Sequence, residues 1–180
     1  NTSSGTVVEE INKFVANNVP VVVAACNDSD EKSPLAEYQS PIVVANLKNQ
    51  STMNSSSSCW GALTDCCVIG SKVLSCKNAP SGYALKSGTS MAAPAVAGML
   101  ALILSRWPNI SEADAYRYLM DHAAPAEVKC PSGLHLIPRV ELPDDFDGDG
   151  SSSHPGTGSS TPGAGGSQSP GTGGSQSPGT

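Results

Sequence analysis

Two runs of consecutive apolar residues, rich in β-branched side chains, constrain the fold of this chain most. Residues 20–25 read Pro-Val-Val-Val-Ala-Ala, and residues 42–45 read Ile-Val-Val-Ala. Unbroken runs of this kind are typical of strands buried on both faces of a parallel sheet. Apolar residues at helical spacing over about residues 5–17 precede the first run. Helices that alternate with buried strands predict an α/β layered fold with a mostly parallel sheet.

Two more helices are predicted in the second half of the chain. An apolar stretch opened by Ser90 runs to about Arg106 and stops at Trp107-Pro108. Ser111 followed by Asp114 is typical of an N-cap with an acidic first turn, which predicts a helix over residues 112–122. The longest apolar run, residues 91–104, is shorter than the roughly 18 residues of a membrane span. We therefore interpret it as a core helix and expect no membrane span.

The charge of the chain narrows its possible partners. Its formal net charge at pH 7 is −6, and its pI is about 4.9. An acidic protein has no net electrostatic attraction to the phosphates of nucleic acids or to anionic membranes. We accordingly expect neither as a partner.

The cysteines and the glycosylation triplets suit a secreted protein. Six cysteines are compatible with disulfides, but six allow 15 connectivities and the sequence does not choose among them. No CxxC pair or histidine spacing accompanies them, so no metal or other cofactor is predicted. Asn-x-Ser/Thr triplets begin at Asn1, Asn27, Asn49, Asn54 and Asn109. No Met or signal peptide opens the chain, so we expect it to begin away from the start of its gene product.

A change of composition divides the chain. Residues 1–143 are predicted to form the folded part, whereas residues 144–180 are first acidic and then rich in Gly, Ser and Pro, with GGSQSPGT repeated at 165–172 and 173–180. Because this tail has almost no apolar side chains, it is predicted to be disordered. Removal of the chain after about Val140 is therefore expected to leave stability unchanged. Asp145, Asp147 and Asp149 match the start of a calcium loop, but Gly156 stands at the twelfth position, where a Glu is required. We interpret this segment as an acidic linker.

Ser90 has the sequence surroundings of a nucleophile. Gly88 permits a tight turn before it, and the helix that follows directs free N–H groups and the positive end of its dipole at the serine. A serine hydroxyl also needs a base to take its proton. The three histidines, His122, His135 and His154, all follow the serine in the sequence.

The residues around Ser90 carry a family resemblance. GTSMAAPAVAG at 88–98 resembles the nucleophile motif of the subtilisin-like serine peptidases, GTSMA(A/S/T)P-x-x-AG. VPVVVAACN at 19–27 is similar to the VVVVAAAGN strand of that family, which ends in the oxyanion-hole asparagine. SPIVVANL at 40–47 and ALILSRWPNIS at 101–111 resemble the strand and the helix that follow. The resemblance covers about residues 3–140.

This resemblance implies a fold and an activity. It implies the C-terminal portion of a three-layer subtilisin-like domain that hydrolyses polypeptides through an acyl-enzyme on Ser90, with Asn27 in the oxyanion hole. The family order along the chain is Asp, His and then Ser. The aspartate and the histidine are thus expected before Asn1, and this chain is expected to be inactive without that segment. The family admits calcium, but the resemblance locates no site for it here.

Four features depart from the family pattern or stand outside it. Cys26 replaces the usual Gly before Asn27, and we interpret it as a packing thiol. Ala95 replaces a His that is not the catalytic one, and Gly70 lacks the usual preceding Ala-Pro. His122 and His135 are interpreted as structural or surface residues.

Two alternatives remain open from the sequence. The first is an α/β-hydrolase esterase with Ser90 on its nucleophile elbow, followed by Asp114 or Asp121 and by His135. The second is a secreted subtilisin-like protein without catalytic activity. The residues upstream of Asn1 decide the second, because absence of an Asp/His pair there would establish it.

Overall fold

The computed structural model describes residues 3–31, 41–53, 56–78, 82–124, 127–144 and 146. These residues form three helices and eight strands. In chain order they are α1 Ser3–Ala16, β1 Val22–Ala24, β2 Ile42–Asn49, β3 Thr52–Met53, β4 Cys66–Ile69, β5 Val73–Cys76, β6 Tyr83–Lys86, α2 Thr89–Arg106, α3 Glu112–Asp121, β7 Glu127–Cys130 and β8 Gly133–Leu136.

The two apolar runs form neighbouring parallel strands, as predicted. β2 lies between β1 and β4 and is parallel to both, with Val22 opposite Ile42 and Val44 opposite Cys66. β3 folds back antiparallel on β2, β7 continues the sheet parallel to β3, and β8 is antiparallel to β7. β5 and β6 form a separate antiparallel hairpin that leads into α2. The predicted α/β class with a mostly parallel central sheet is confirmed.

Strand β2 is buried on both of its faces. Ile42 and Val44 pack in the hydrophobic cluster that includes α2 and α3. Val43, Ala45 and Leu47 point the other way and pack with Trp60 and residues of β7. Successive residues of a strand face opposite sides of the sheet, so a strand covered on both sides needs an unbroken apolar run. This burial explains the pattern in the sequence.

Helix α2 behaves as a core helix, although its length and composition alone would allow it to cross a membrane. The side chains that it buries are Thr89, Ala92, Ala93, Val96, Leu100 and Ile103. The helix begins at Thr89 with Gly88 as its N-cap, one residue before the predicted start. Pro94 therefore lies in the second turn, where its missing N–H leaves the carbonyl of Ser90 without its usual helical donor. Ser111 caps α3 as predicted, accepting a hydrogen bond from the N–H of Asp114 at 3.0 Å.

An aromatic cluster extends the folded part beyond the predicted boundary at residue 143. Phe146 is only 6% exposed. Its ring centroid lies 6.1 Å from that of Trp107 and 6.4 Å from that of Tyr118. Leu142 packs against the same core. The expectation that the chain after Val140 contributes nothing to stability does not hold for these two side chains. The calcium-like motif at 145, 147 and 149 and the repeats lie outside the described residues.

We expect two neighbouring truncations to differ in stability. A protein with its complete N-terminal part but truncated after Leu142 lacks the buried Phe146 ring. The loss of such a ring lowers the free energy of unfolding by on the order of 3 kcal/mol. A protein ended after Phe146 loses only residues that are almost entirely polar or Gly, and its Tm should stay unchanged. Thermal unfolding followed by circular dichroism tests this, and the protein that ends after Phe146 is the control. Equal Tm values for the two truncations would contradict the structural role of Phe146.

Candidate active site

Ser90 lies at the exposed N-terminal end of α2. It is the second residue of the helix, and its side chain is exposed, whereas Gly88 and Thr89 are buried. Since Gly88 is the N-cap, Ser90 does not serve as the helix cap. Among the described residues, no acceptor bonds the backbone N–H of Ser90. The serine thus combines an accessible hydroxyl with a free N–H at the positive end of a helix dipole.

Asn27 is held beside Ser90 by the residue between Gly88 and the serine. Asn27 follows β1 at the carboxyl edge of the parallel strands. Its Oδ1 accepts hydrogen bonds from the backbone N–H of Thr89 at 2.9 Å and from the Thr89 hydroxyl at 3.0 Å. These two donors identify the amide oxygen and leave the Nδ2 group as a donor directed elsewhere. The structure therefore brings the two predicted site residues together through Thr89.

Two glycines make this close approach possible. Gly88 has a φ of +152°, and a Cβ there would lie 3.2 Å from Asn27 Oδ1. The N–H of Gly88 donates to the Gly70 carbonyl at 3.1 Å. A Cβ on Gly70 would lie 2.8 Å from both the Gly88 oxygen and the Ala92 nitrogen. Glycine at both positions therefore lets the turn at 70 and the start of α2 pack backbone against backbone.

A buried asparagine supports this contact from the sheet. Asn46 of β2 is 0% exposed, and its Oδ1 accepts from the Gly70 N–H at 2.9 Å and from the Ser71 hydroxyl at 3.2 Å. Its Nδ2 donates to the Ser57 hydroxyl at 3.0 Å. Buried polar groups are stable when paired in this way. Asn46 thereby links the central strand to the turn against which α2 begins.

The two described histidines have partners of their own away from Ser90. Nδ1 of His122 lies 2.7 Å from the Tyr118 carbonyl oxygen, and Nε2 of His135 lies 2.9 Å from the Ser132 hydroxyl. These contacts agree with the interpretation of both as structural or surface residues. His154 lies outside the described residues.

Asp65 has a perturbed pKa but lies at the opposite edge of the sheet from Asn27. Burial raises the pKa of its carboxyl, against the lowering effect of the hydrogen bond from the Val43 N–H. That bond is 2.7 Å long and ties Asp65 to the amino-terminal part of β2. The perturbed carboxyl thus belongs to the packing of the strands.

Cys26 is not the free packing thiol expected from the sequence. It forms a disulfide with Cys59, and Cys66, Cys67, Cys76 and Cys130 are free. Burial raises the pKa of Cys66, raises that of Cys67 to about 12 and raises that of Cys130 to about 11. Only the thiolate reacts readily, so these three buried thiols are inert at neutral pH. Cys76 is the exposed one.

Alkylation should report this pairing. In the native full-length protein at about pH 8 without reductant, iodoacetamide should label Cys76 and none of the other cysteines of residues 1–180, because the rest are buried or bonded. Denaturant should add Cys66, Cys67 and Cys130, and only a reductant should add Cys26 and Cys59. Peptide mass mapping reads each step. Labelling of Cys26 or Cys59 in denaturant alone would contradict the disulfide.

No metal centre is found in the part of the chain that the structure describes. No group of three or more His, Cys, Asp or Glu side chains there could hold an ion. That this protein works without a cofactor remains a prediction.

The fold and the site together define a class. An exposed serine at a helix N-terminus, beside an amide donor at the carboxyl edge of a parallel sheet, is an arrangement typical of enzymes with a layered α/β fold and a serine nucleophile. A comparison with protein families narrows this class. The model of the subtilase family matches residues 1–165, and the chain belongs to that family.

Individual relatives agree with this membership. The chain is 33% identical over 138 residues to Subtilisin-like protease 1 of Pseudogymnoascus destructans, covering 74% of this chain and 34% of that protein. It is 34% identical over 130 residues to an extracellular protease of Xanthomonas campestris, covering 68% and 22%. It is 35% identical over 118 residues to subtilisin E of Bacillus subtilis, covering 62% and 30%. The chain spans about a third or less of the length of these relatives.

Family membership removes the esterase alternative, because α/β-hydrolase esterases have a different fold. The contacts agree with this. Asp114 is engaged with Ser111 and Arg117, and His135 with Ser132. Membership of the subtilase family and the alignment with a protein named as a subtilisin-like protease together support a serine peptidase.

Sequence reasoning missed three supporting residues. Thr89 belongs to the motif at 88–98, and its place next to Ser90 was a signal that its side chain orients a neighbouring site residue. Asn46 gave a signal as the one polar residue inside an apolar strand run. Cys59 gave none, because nothing in the residues around it indicates a partner 33 positions earlier in the sequence.

Proposed function

We propose that this chain supplies the nucleophile, Ser90, and one oxyanion donor, Asn27, of an extracellular serine endopeptidase. The observation that carries the proposal is the pair of hydrogen bonds from Thr89 to Asn27 Oδ1 at 2.9 and 3.0 Å. They fix the orientation of the amide so that Nδ2 remains a donor. The extracellular location is supported by the relative from Xanthomonas campestris, which is named an extracellular protease.

The chemistry follows from these groups. Ser90 Oγ attacks the carbonyl carbon of a polypeptide while a base takes its proton, and the carbonyl oxygen becomes an oxyanion. Asn27 Nδ2 and the free N–H of Ser90 donate to that oxyanion. The peptide nitrogen then accepts the proton from the base and leaves, which forms an acyl-enzyme on Ser90. Water hydrolyses the ester in the same two steps and restores the serine.

The base belongs, in this proposal, to a segment that precedes Asn1. Three observations support it: the family order Asp, His, Ser, the other partners of His122 and His135, and the limited share of each relative that this chain covers. Residues 1–180 alone should consequently be inactive.

The second candidate is a non-catalytic relative with the same fold. An assay of proteolysis separates the two. The full-length protein and its Ser90→Ala variant are each incubated with a denatured protein substrate. Cleavage that depends on Ser90 supports the enzyme. A full-length protein without an Asp/His pair upstream and without such cleavage would establish the non-catalytic relative.

A further inference from the structure

The residue before Asn27 is tethered to a separate segment of the chain. Cys26 is joined by its disulfide to Cys59. The N–H of Cys59 also donates to the Cys26 carbonyl at 2.9 Å. Asn27 thus lies between two attachments, with Thr89 on one side and Cys59 on the other.

The segment at the far end of the tether is itself firmly anchored. Cys59 and Trp60 are buried, and the Trp60 indole N–H donates to the Ser132 hydroxyl at 2.8 Å. The backbone N–H of Trp60 donates to the Asp30 carbonyl at 3.1 Å. A Cβ on Gly61 would lie only 2.2 Å from the Glu31 carbonyl oxygen, so the two loops pack in direct contact. The disulfide therefore holds Cys26 against a fixed part of the core.

The backbone conformation of Cys26 is one that favours glycine. Its φ is +84°, in the left-handed region that a residue with a Cβ rarely adopts. Relaxation of the Cys26 backbone toward negative φ would relieve this conformational cost, and a tether opposes it. The following peptide plane and the Asn27 side chain would rotate with it. Glycine would hold the same φ without any tether.

We propose that the Cys26–Cys59 disulfide positions the Asn27 amide for the oxyanion. The cross-link supplies the conformational restraint that a cysteine at this φ requires, and Cys26 and Cys59 act through Asn27 without touching the substrate. This inference rests on the proposed role of Asn27.

Two double variants of the full-length protein separate positioning from general stability. Cys26→Ala with Cys59→Ala removes the disulfide and keeps a Cβ at position 26. Cys26→Gly with Cys59→Ala also removes the disulfide but tolerates the positive φ. The alanine pair should lose about tenfold in kcat, the size of the penalty for a left-handed residue with a Cβ, with KM little changed. The glycine pair should recover most of that kcat, although it lacks the cross-link as well.

Both pairs should show a lower Tm than the parent, and all kinetics are measured well below the lower Tm. A kcat equally reduced in both pairs, or unchanged in the alanine pair, would overturn the positioning role. If the alanine pair does not fold, the comparison of the glycine pair with the parent still decides: a large loss of kcat in a folded glycine pair contradicts the proposal.

Combining the alanine pair with Asn27→Leu distinguishes failure of this inference from failure of the proposed oxyanion role of Asn27. If the disulfide acts through Asn27, the alanine pair should cost nothing further in kcat in the Asn27→Leu background. An undiminished tenfold loss there would overturn the inference alone. An Asn27→Leu protein with the kcat of the parent would overturn the oxyanion role and, with it, this inference.

Discussion

Full-length protein carrying Ser90→Ala is expected to lose nearly all of its peptidase activity while keeping its fold. In a subtilisin, removal of the nucleophilic serine lowers kcat by roughly 10⁶-fold, and we carry that magnitude over to this relative. The remaining activity over water would come from substrate binding and oxyanion stabilisation. The fold should persist because the Ser90 side chain is small and exposed, so its loss opens no cavity.

Ser105→Ala is the matched control for this experiment. Ser105 is an exposed serine in the same helix, at the opposite end from Ser90. This variant should keep the parent's kcat and Tm. Hydrolysis of a peptide substrate is measured for all three proteins, with circular dichroism as the test of folding. Near-parental turnover by a folded Ser90→Ala protein would refute the nucleophile assignment.

Asn27→Leu should lower kcat by roughly two to three orders of magnitude and leave KM nearly unchanged. The magnitude is that known for loss of one oxyanion donor in a subtilisin. The physical reason is that the amide donates to a charge that develops only in the transition state, so bound substrate does not gain from it. Ser90 and its base remain, and slow turnover above background should persist.

Asn27→Leu removes two groups at once, the Nδ2 donor to the oxyanion and the Oδ1 acceptor that anchors Thr89. The experiment must separate these two effects. Asn27 Oδ1 also holds Thr89, so loss of the side chain removes the bonds at 2.9 and 3.0 Å. The folded state of the variant is therefore checked before kinetics. Asn17→Leu, at an exposed asparagine after α1, is the control and should match the parent. A folded Asn27→Leu protein with unchanged kcat would return Asn27 to the role of a turn residue.

Local patterns predicted most of the helices and the central strands correctly. The apolar spacing over 5–17 corresponds to α1, and the residues that it half-buries are Val8, Ile11 and Val15. The Ser111 cap and the apolar runs of β1 and β2 were equally clear. Strands β3, β7 and β8 were not predicted, because each is short and mixed in polarity. β3 joins β7 from a distant part of the chain, and β8 forms a hairpin with β7.

The site was predicted as a pair of residues but not as an arrangement. The quoted motifs pointed to Ser90 and Asn27, and their catalytic roles stay predictions. The expectation for Cys26 was wrong, since a lone cysteine beside a strand carries no information about a partner 33 residues away. The predicted boundary at residue 143 could not include Phe146, because a single aromatic residue in an acidic segment has no periodicity that indicates burial.

The amino-acid sequence by itself determined the type of each main helix and strand, since side-chain periodicity and capping are local properties of the chain. It also determined the family, since the motif around Ser90 and the motif around Asn27 are each a contiguous stretch of the sequence. Only the tertiary structure decided which amide atom of Asn27 faces Thr89 and that Phe146 joins Trp107 and Tyr118. It also decided that Cys26 pairs with Cys59 while the other four cysteines stay free. Each of these depends on groups that are distant in sequence, and their distances are set by how the layers pack.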